Sequence, residues 1–539
     1  MSSDAFSFQC GVMGGDAIQV LSFVGEESLD AGYVFDLALL ATQDDLEENL
    51  LKEKLTFTIH RPNKKGGDAV WHGVAQEVEY RGSVHKRHIY QVRLVPTSWR
   101  LRQEVDCALF FDKKLPALLE DLLKAEKLTA GTHFRMACTS TAYPGEAFVC
   151  RYNESAFAFM SRHMERCGIY SFIEQKGNGD VLVLADAKTA HSPLPQGKDI
   201  TYAQPSGLSP QDASQSTETI HAFSRAVRRT TKSTELRDYN TEASQPNLSA
   251  KADVTDPRTF TSEGRSVLFG EGFQSAEKGR LFANVLQESH ICDAQTFYGA
   301  SSVPHLRPGY LFTLKNPPRA AWEGDYLLLS VRHKGSQADS VASSLGLQGF
   351  PVLSRRRGQG FEDADEQREG AKRHDEYSNS FTCIPASIQY RAGRKTPWPR
   401  IDGVLNGVID FAQSGERAIT DKEGRYTVTL PFGTGDRNAG NHSIPLRMMQ
   451  PHAGTSSGIH FPLQQGVEVL VAFIGGDPDR PVIAGALPNP THPSPVKDED
   501  QTKSVIKTPG GHTLVIEESA TTTVTLSSPD GANFIRIQQ

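Results

Sequence analysis

The chain has 539 residues, with 57 Lys and Arg against 64 Asp and Glu, a net charge of −7. At about 100–200 residues per domain this is several domains, and the acidic balance gives no general attraction to nucleic acid or anionic membranes. No apolar run reaches the roughly 18–20 residues that span a bilayer, and the N-terminus, MSSDAFSFQCGVMGG, lacks the basic and apolar regions of a cleavable signal peptide. The seven cysteines (10, 107, 138, 150, 167, 292 and 383) are odd in number and free of CxxC spacing. They read as reduced thiols of a protein made in the cytoplasm.

Residues 1–106 are β-rich. Ile18–Glu26, Tyr33–Leu40, Leu55–His60 and His88–Val95 carry strand-like apolar patterns, and Gly66-Gly67-Asp68 separates two of them. Short strands with turn signals between them predict a barrel or sandwich. Leu118, Leu119, Leu122 and Leu123 fall at helical spacing, so Leu115–Lys127 reads as a helix. A second helix begins near Ser155, capped by Asn153 or Ser155, and ends at Gly168. Ile169–Ile173 and Val181–Leu184 then read as paired strands across a KGNGD turn.

Residues 204–260 are polar, with strand patches such as Thr219–Ala226. Ser275–His290 reads as another amphipathic helix, and strands follow between Leu306 and Gly335, opened by a Pro308-Gly309 turn. Gln359–Ser380 is charged and nearly devoid of large apolar residues, which predicts a loop or linker. Beyond it come short alternating segments at Gly403–Ile409, Gly424–Leu430 and Ser443–Met449.

The most specific stretch is Gln465–Asn489. Val467, Val469 and Val471 alternate with Glu468, Leu470 and Ala472, the period of a strand. Gly475-Gly476-Asp477-Pro478 breaks it. Arg480-Pro481 opens a second strand that ends at Gly485. This is a hairpin with a charged tip, Asp477, Asp479 and Arg480, and Pro478 and Pro481 belong at the tip or an edge. Five short strands in about 90 residues suit an oligonucleotide/oligosaccharide-binding (OB) barrel. After the stiff Pro488–Pro495 run, Leu514/Ile516, Val524/Leu526 and Ile535/Ile537 form recurring i,i+2 apolar pairs. One such repeat cannot bury its own face, whereas three chains wound together can.

The hairpin EVLVAF–GGDPDRPVIAGALPN closely resembles the signature of VgrG proteins, the spikes of bacterial type VI secretion systems, which are related to contractile phage tail spikes. Further elements match that family in order. They are Pro96, Trp99 and Leu101; Arg151, Tyr152, Asn153, Glu154 and Ser155 with Phe159, Arg162, Glu165 and Gly168; Asp238-Tyr239; His333 and Gly335; and Asp421, Gly424, Arg425 and Val428. One departure is Leu463-Gln464-Gln465-Gly466 where the family has Ile-Gly-Gln.

The resemblance implies a mainly β, multidomain fold with a few helices. Two barrel-like hub domains occupy 1–370 and a linker 371–380. An OB-fold neck occupies 381–490, and the start of an intertwined trimeric β-helix needle occupies 491–539. It implies a homotrimer that caps a hexameric tube of haemolysin-coregulated protein, contacts baseplate components, carries effector cargo, bears a PAAR-repeat tip protein and punctures a target membrane. Such a protein assembles in the cytoplasm and is delivered outside without a signal peptide. The alternative is the spike of an extracellular contractile injection particle or phage-like tail. No cofactor, metal or nucleic acid is implied. The short needle, natural or truncated, is expected to carry no toxic enzyme after it.

Several motifs also carry a rival chemical reading. Gly454-Thr455-Ser456-Ser457-Gly458 matches G-x-S-x-G, yet a nucleophile elbow needs a following helix, and His460-Phe461-Pro462 leads into a strand. A secreted serine hydrolase using Ser456 is the rival of another class. His163 and Cys167 are spaced i,i+4 to share a metal, or simply pack. Arg355–Arg357 is an anion contact or a solvated turn, and Asp363–Glu366 lacks the spacing and Gly of a calcium loop.

Overall fold

The computed structural model describes residues 5–539 apart from 12–16, 62–65, 141–142, 144, 204–217, 241–244, 257–258, 262, 347–376, 411–417, 419 and 433–442. The chain divides into two compact units. The first is residues 1–106, 112–147 and 153–398; the second is Cys107–Phe111, Phe148–Tyr152 and Pro399–Gln539.

Alternating apolar residues build the first unit's main sheet. Phe6–Cys10, Lys54–Ile59, Ala69–Val84, Arg87–Val95, Gly32–Ala41 and Ile18–Ser28 pair in that order, and the bridge Ser7↔Gln19 closes the ring into a six-stranded barrel. Its interior is aromatic: Phe23, Phe35, Phe57 and Trp71 are buried, with the Phe35 and Trp71 rings 4.9 Å apart. A second ring runs Leu311–Lys315, Gly324–Ser336, Tyr377–Pro385, Gln295–Ser301 and Ile220–Val227. Asp199–Thr201 lies on its Leu311–Lys315 side, and the Tyr202↔Ile220 bridge completes the circuit. Phe223, Phe297, Phe312, Tyr326, Phe381 and Cys383 fill it.

The two barrels share a seam, because Ile18–Ser28 pairs with Gly324–Ser336. At that seam His333 is wholly buried. Its Nε2 lies 2.9 Å from Glu27 Oε1 and its Nδ1 2.7 Å from the Tyr377 hydroxyl. Asn379 donates to the same hydroxyl at 2.9 Å and accepts from Ser301 at 2.7 Å. A buried carboxylate is tolerable only when hydrogen-bonded, and this relay satisfies Glu27 across four strands.

The helices Leu115–Ala125, Ala156–Cys167 and Ala276–Ala294 fall where the apolar spacing puts them. Ser155, rather than Asn153, is the N-cap of the second, its side chain accepting the Ala158 N–H at 3.1 Å. Gly168 ends that helix at φ +79°, and a Cβ there would stand 2.8 Å from Val285, so both backbone and packing require glycine. Ala276–Ala294 covers a three-stranded sheet of Gln245–Asp253, Ser233–Asn240 and Arg265–Phe269. Glu154 and Arg162 form a buried ion pair at 2.7 Å, and Trp398 lies against the Arg162 and Arg166 guanidiniums at 4.1 and 3.9 Å.

One strand departs from the sequence reading. The sequence order places Phe381–Pro385 with the neck, but Tyr377–Pro385 pairs on both sides within the second barrel. Phe381 and Cys383 point into that core, and the continuous part of the second unit starts at Pro399. Residues 377–380 of the expected linker are therefore strand, and the rest of it lies outside the described residues.

In the second unit the strands run Ser443–Leu446, Tyr426–Thr429, Val404–Ile409, Glu468–Phe473 and Pro481–Leu487. The Ile483 N–H to Arg447 O bond (2.9 Å) and the Met449 N–H to Ile483 O bond (2.8 Å) close them into a five-stranded barrel. Ile409, Tyr426, Val428, Val469, Val471 and Ile483 form its core, and Phe111, Phe148 and Tyr152 pack against it. Beyond it, Lys503–Lys507, Thr513–Glu518, Thr522–Ser527 and Phe534–Gln538 make an antiparallel meander.

Candidate functional site: the neck hairpin and the terminal sheet

The neck hairpin has the two faces its alternation requires. Val469, Val471 and Phe473 point inward, while Leu470 and Ala472 are half-buried on the outside. Gly475 and Gly476 take φ of +68° and +76°, open to glycine and strained for other residues. The tip is shaped by Asp477: its carboxylate accepts the Asp479 N–H at 3.0 Å and its carbonyl the Arg480 N–H at 2.9 Å. Arg480 O in turn accepts the Ile474 N–H at 3.0 Å. Pro478 is buried, and Pro481 starts the return strand opposite Phe473. Gly485 faces Leu470 beside a bulge, since Ile483 pairs with Val471 and Ala484 is the extra residue.

The other family positions are turn builders. Gly424 donates to Asp421 O at 3.0 Å, and Arg425 Nε donates to the Asp421 carboxylate at 2.6 Å. Burial pulls the Asp421 carboxyl upward, but the Arg425 amide and guanidinium and the Glu423 amide outweigh it and hold it below its usual value. Gly466 donates to Ile409 O at 3.0 Å, so the departing Leu463-Gln464-Gln465 loop still lands on the barrel.

The terminal meander is amphipathic by register. Directly paired residues share a face. Ile506, Leu514, Leu526 and Ile535 form one cross-strand row, and Ile516, Val524 and Ile537 a second row on the same side. The opposite face is mostly polar: Lys503, Glu517, Thr523 and Gln538 form one row, Val505, Val515, Thr525 and Arg536 the next, and Lys507, Thr513, Ser527 and Phe534 the last. The apolar face lies open at one end: Leu526 is 51%, Ile535 65% and Ile537 68% exposed.

The rival motifs resolve differently. Ser456 sits in an exposed hairpin turn closed by the Gly454 N–H to Ser457 O bond (2.7 Å) and the Ala453↔Gly458 bridge, with no helix following it. The hydroxyl near a histidine is that of Ser457, 3.1 Å from His452 Nε2. His163 packs between the Phe159 and Trp398 rings, at 4.8 and 5.0 Å. Burial, then the charges of Arg162, Arg166 and Lys278, keeps its imidazole well below the usual value. Burial likewise pushes the Cys167 thiol up to about 12. No cluster of three or more metal-ligating side chains occurs among the described residues, so the two have no further ligand beside them there. None of the seven cysteines, all described, forms a disulfide. Arg355–Arg357 and Asp363–Glu366 lie outside the described residues.

Tandem β-barrels followed by an OB-type barrel are the architecture of a tail baseplate hub joined to an injector OB domain. The chain belongs to the phage tail baseplate hub family, whose profile matches residues 26–339, and it carries a type VI secretion system/phage-baseplate injector OB domain at residues 416–487. Along almost its whole length it resembles VgrG spike proteins. The type VI secretion system spike protein VgrG5 of Pseudomonas aeruginosa is 28% identical over 499 residues, 92% of this chain and 59% of that one. The actin cross-linking toxin VgrG1 of Vibrio cholerae is 24% identical over 522 residues, 94% of this chain and 44% of that one. The chain thus spans less than two thirds of the length of these relatives. Its fold matches, at a TM-score of 0.61 and 19% identity, an Escherichia coli component of the type VI secretion system described as similar to the bacteriophage T4 tail proteins gp27 and gp5; 89% of this chain and 99% of that one are covered.

Proposed function

We propose that this chain is the trimeric spike of a type VI secretion system. It caps a hexameric tube with its hub, is driven through a target membrane by sheath contraction and carries effectors on a non-enzymatic scaffold. The observation that carries this reading is the terminal sheet: two cross-strand apolar rows that one copy leaves open and that three copies would bury around a common axis. Two similar six-stranded barrels per chain, taken three times, also give the pseudo-sixfold ring that suits a hexameric tube. A PAAR-repeat protein would seat on the needle end, and baseplate proteins on the hub. Assembly would take place in the cytoplasm, with delivery by the machine.

The test is mass in solution. The full chain is expected at about 177 kDa, three times 59.1 kDa. A stable single copy whose terminal-sheet amides resist exchange would overturn the reading. The extracellular-particle alternative shares this trimer, and neighbouring sheath and tube genes separate the two.

A further inference from the structure

The chain passes between its two compact units at five points: 106/107, 111/112, 147/148, 152/153 and 398/399. Two of the segments that make these crossings end on one loop of the second unit. Cys150, in the middle of Phe148–Tyr152, donates its backbone N–H to Asp479 Oδ1 at 2.6 Å. Ile401, shortly after the last crossing, donates its N–H to Gly476 O at 2.9 Å, and the Arg400 guanidinium donates to Gly475 O at 3.2 Å. The loop is the tip of the neck hairpin.

The two aspartates of that tip have different tasks. Asp477 makes the turn, since both its carboxylate and its carbonyl bond inside the loop. The Asp479 carboxylate instead takes an amide from a strand more than three hundred residues earlier in the sequence. A charged acceptor on a part-buried amide is among the stronger neutral-to-ionic bonds, roughly 1.5–3 kcal/mol. The same two segments are also tied at their other ends, within the first unit. Strand Gly145–Ser155 runs on to Glu154, which pairs with Arg162, and Trp398, the residue before Pro399, lies against that guanidinium.

We infer that the neck hairpin is a clasp. Asp479 and the Gly475-Gly476 backbone hold two of the connecting segments at a single loop, so tension along the chain is shared between them instead of falling on the Trp398–Pro399 connection alone. The spike reading supplies the source of that tension, whereas the clasp itself is a property of the single chain.

The test uses the full chain as Asp479→Leu and Asp479→Asn, the asparagine oxygen being able to accept the same N–H. Hydrogen exchange is read at the Cys150 and Ile401 amides, and the force at which the neck barrel yields is read by pulling between the chain ends. Asp479→Leu is expected to speed exchange at the Cys150 amide at least about tenfold, the cost of one charge-assisted bond, with the Ile401 amide, held by Gly476 O, as the internal reference, and to lower the yield force; Asp479→Asn restores most of both. Wild-type exchange and force in Asp479→Leu overturn the clasp. So does uniform acceleration throughout Tyr426–Leu487, which marks a loosened barrel rather than a released segment. Solution mass is measured in parallel: a wild-type chain that stays single removes the spike reading, while the amide result still decides the clasp.

Discussion

Replacing Ile535 and Ile537 by Lys tests the terminal sheet directly. These side chains are 65% and 68% exposed in one copy. Full burial of an isoleucine contributes about 1.5–3 kcal/mol, so covering the remaining two thirds contributes about 1–2 kcal/mol each. Two positions in three copies then amount to about 6–12 kcal/mol per trimer, before any penalty for buried charge. Even the lower figure exceeds four decades in the assembly constant at about 1.4 kcal/mol per decade. Light scattering across a concentration series is expected to show the double variant as a single copy near 59.1 kDa. Thr523→Lys, on the opposite face and paired with Glu517, is the control and should keep the trimer mass. A double variant that remains trimeric at micromolar concentration, or a control that dissociates equally, refutes the assignment of the buried face.

Four other outcomes follow from the same geometry. Glu154→Gln removes the negative charge paired with the Arg162 guanidinium, whose side chain is 1% exposed, and should cost up to about 3–5 kcal/mol, read as a lower denaturant midpoint of the hub; a shift within error would mean the pair is not structural. Gly168→Val meets both the φ of +79° and the 2.8 Å approach to Val285, and should destabilise the hub by at least about 1 kcal/mol. Asp30 accepts from the Ser171 amide and the Tyr390 hydroxyl, but burial outweighs both and lifts its carboxyl to about 6. Because the folded state holds this proton more tightly than the unfolded one, its contribution is present below about pH 4 and is lost as pH rises through 6, on the order of 3 kcal/mol in all. Asp30→Asn should therefore flatten the urea midpoint between pH 4 and 7, and an unchanged slope would assign the effect elsewhere. Ser456→Ala should alter neither delivery nor background esterase turnover, and a loss of either would revive the hydrolase reading.

Periodicity told which residues share a face, and there the sequence was a good guide. Leu514/Ile516, Val524/Leu526 and Ile535/Ile537 do lie on one side, because a strand's side-chain period of two leaves no other choice. Ser155 and Gly168 bound their helix because capping is local chemistry. Partnership between distant strands was not legible. Nothing in IQVLSFVGEES says that it pairs with residues some three hundred positions later, since alternation fixes a face and leaves the neighbour open. For the same reason Phe381–Pro385 reads with the strands that follow it in sequence and 377–380 as linker, although the hydrogen-bond partners of Tyr377–Pro385 precede it.

The least legible feature was the pair of short segments that join the neck unit from within the hub sequence. Ala108–Phe111 is an apolar run ahead of a helix, and Phe148–Tyr152 lies just ahead of the helix at Ala156. Their apolar side chains are ordinary strand residues, and only packing of Phe111, Phe148 and Tyr152 against the neck core reveals where they belong. The signal that pointed to them was in the hairpin tip. A carboxylate held in a part-buried loop demands donors. The Cys150 amide is one of them, so part of the charge of the tip is explained by what it grips and not only by its position at a bend.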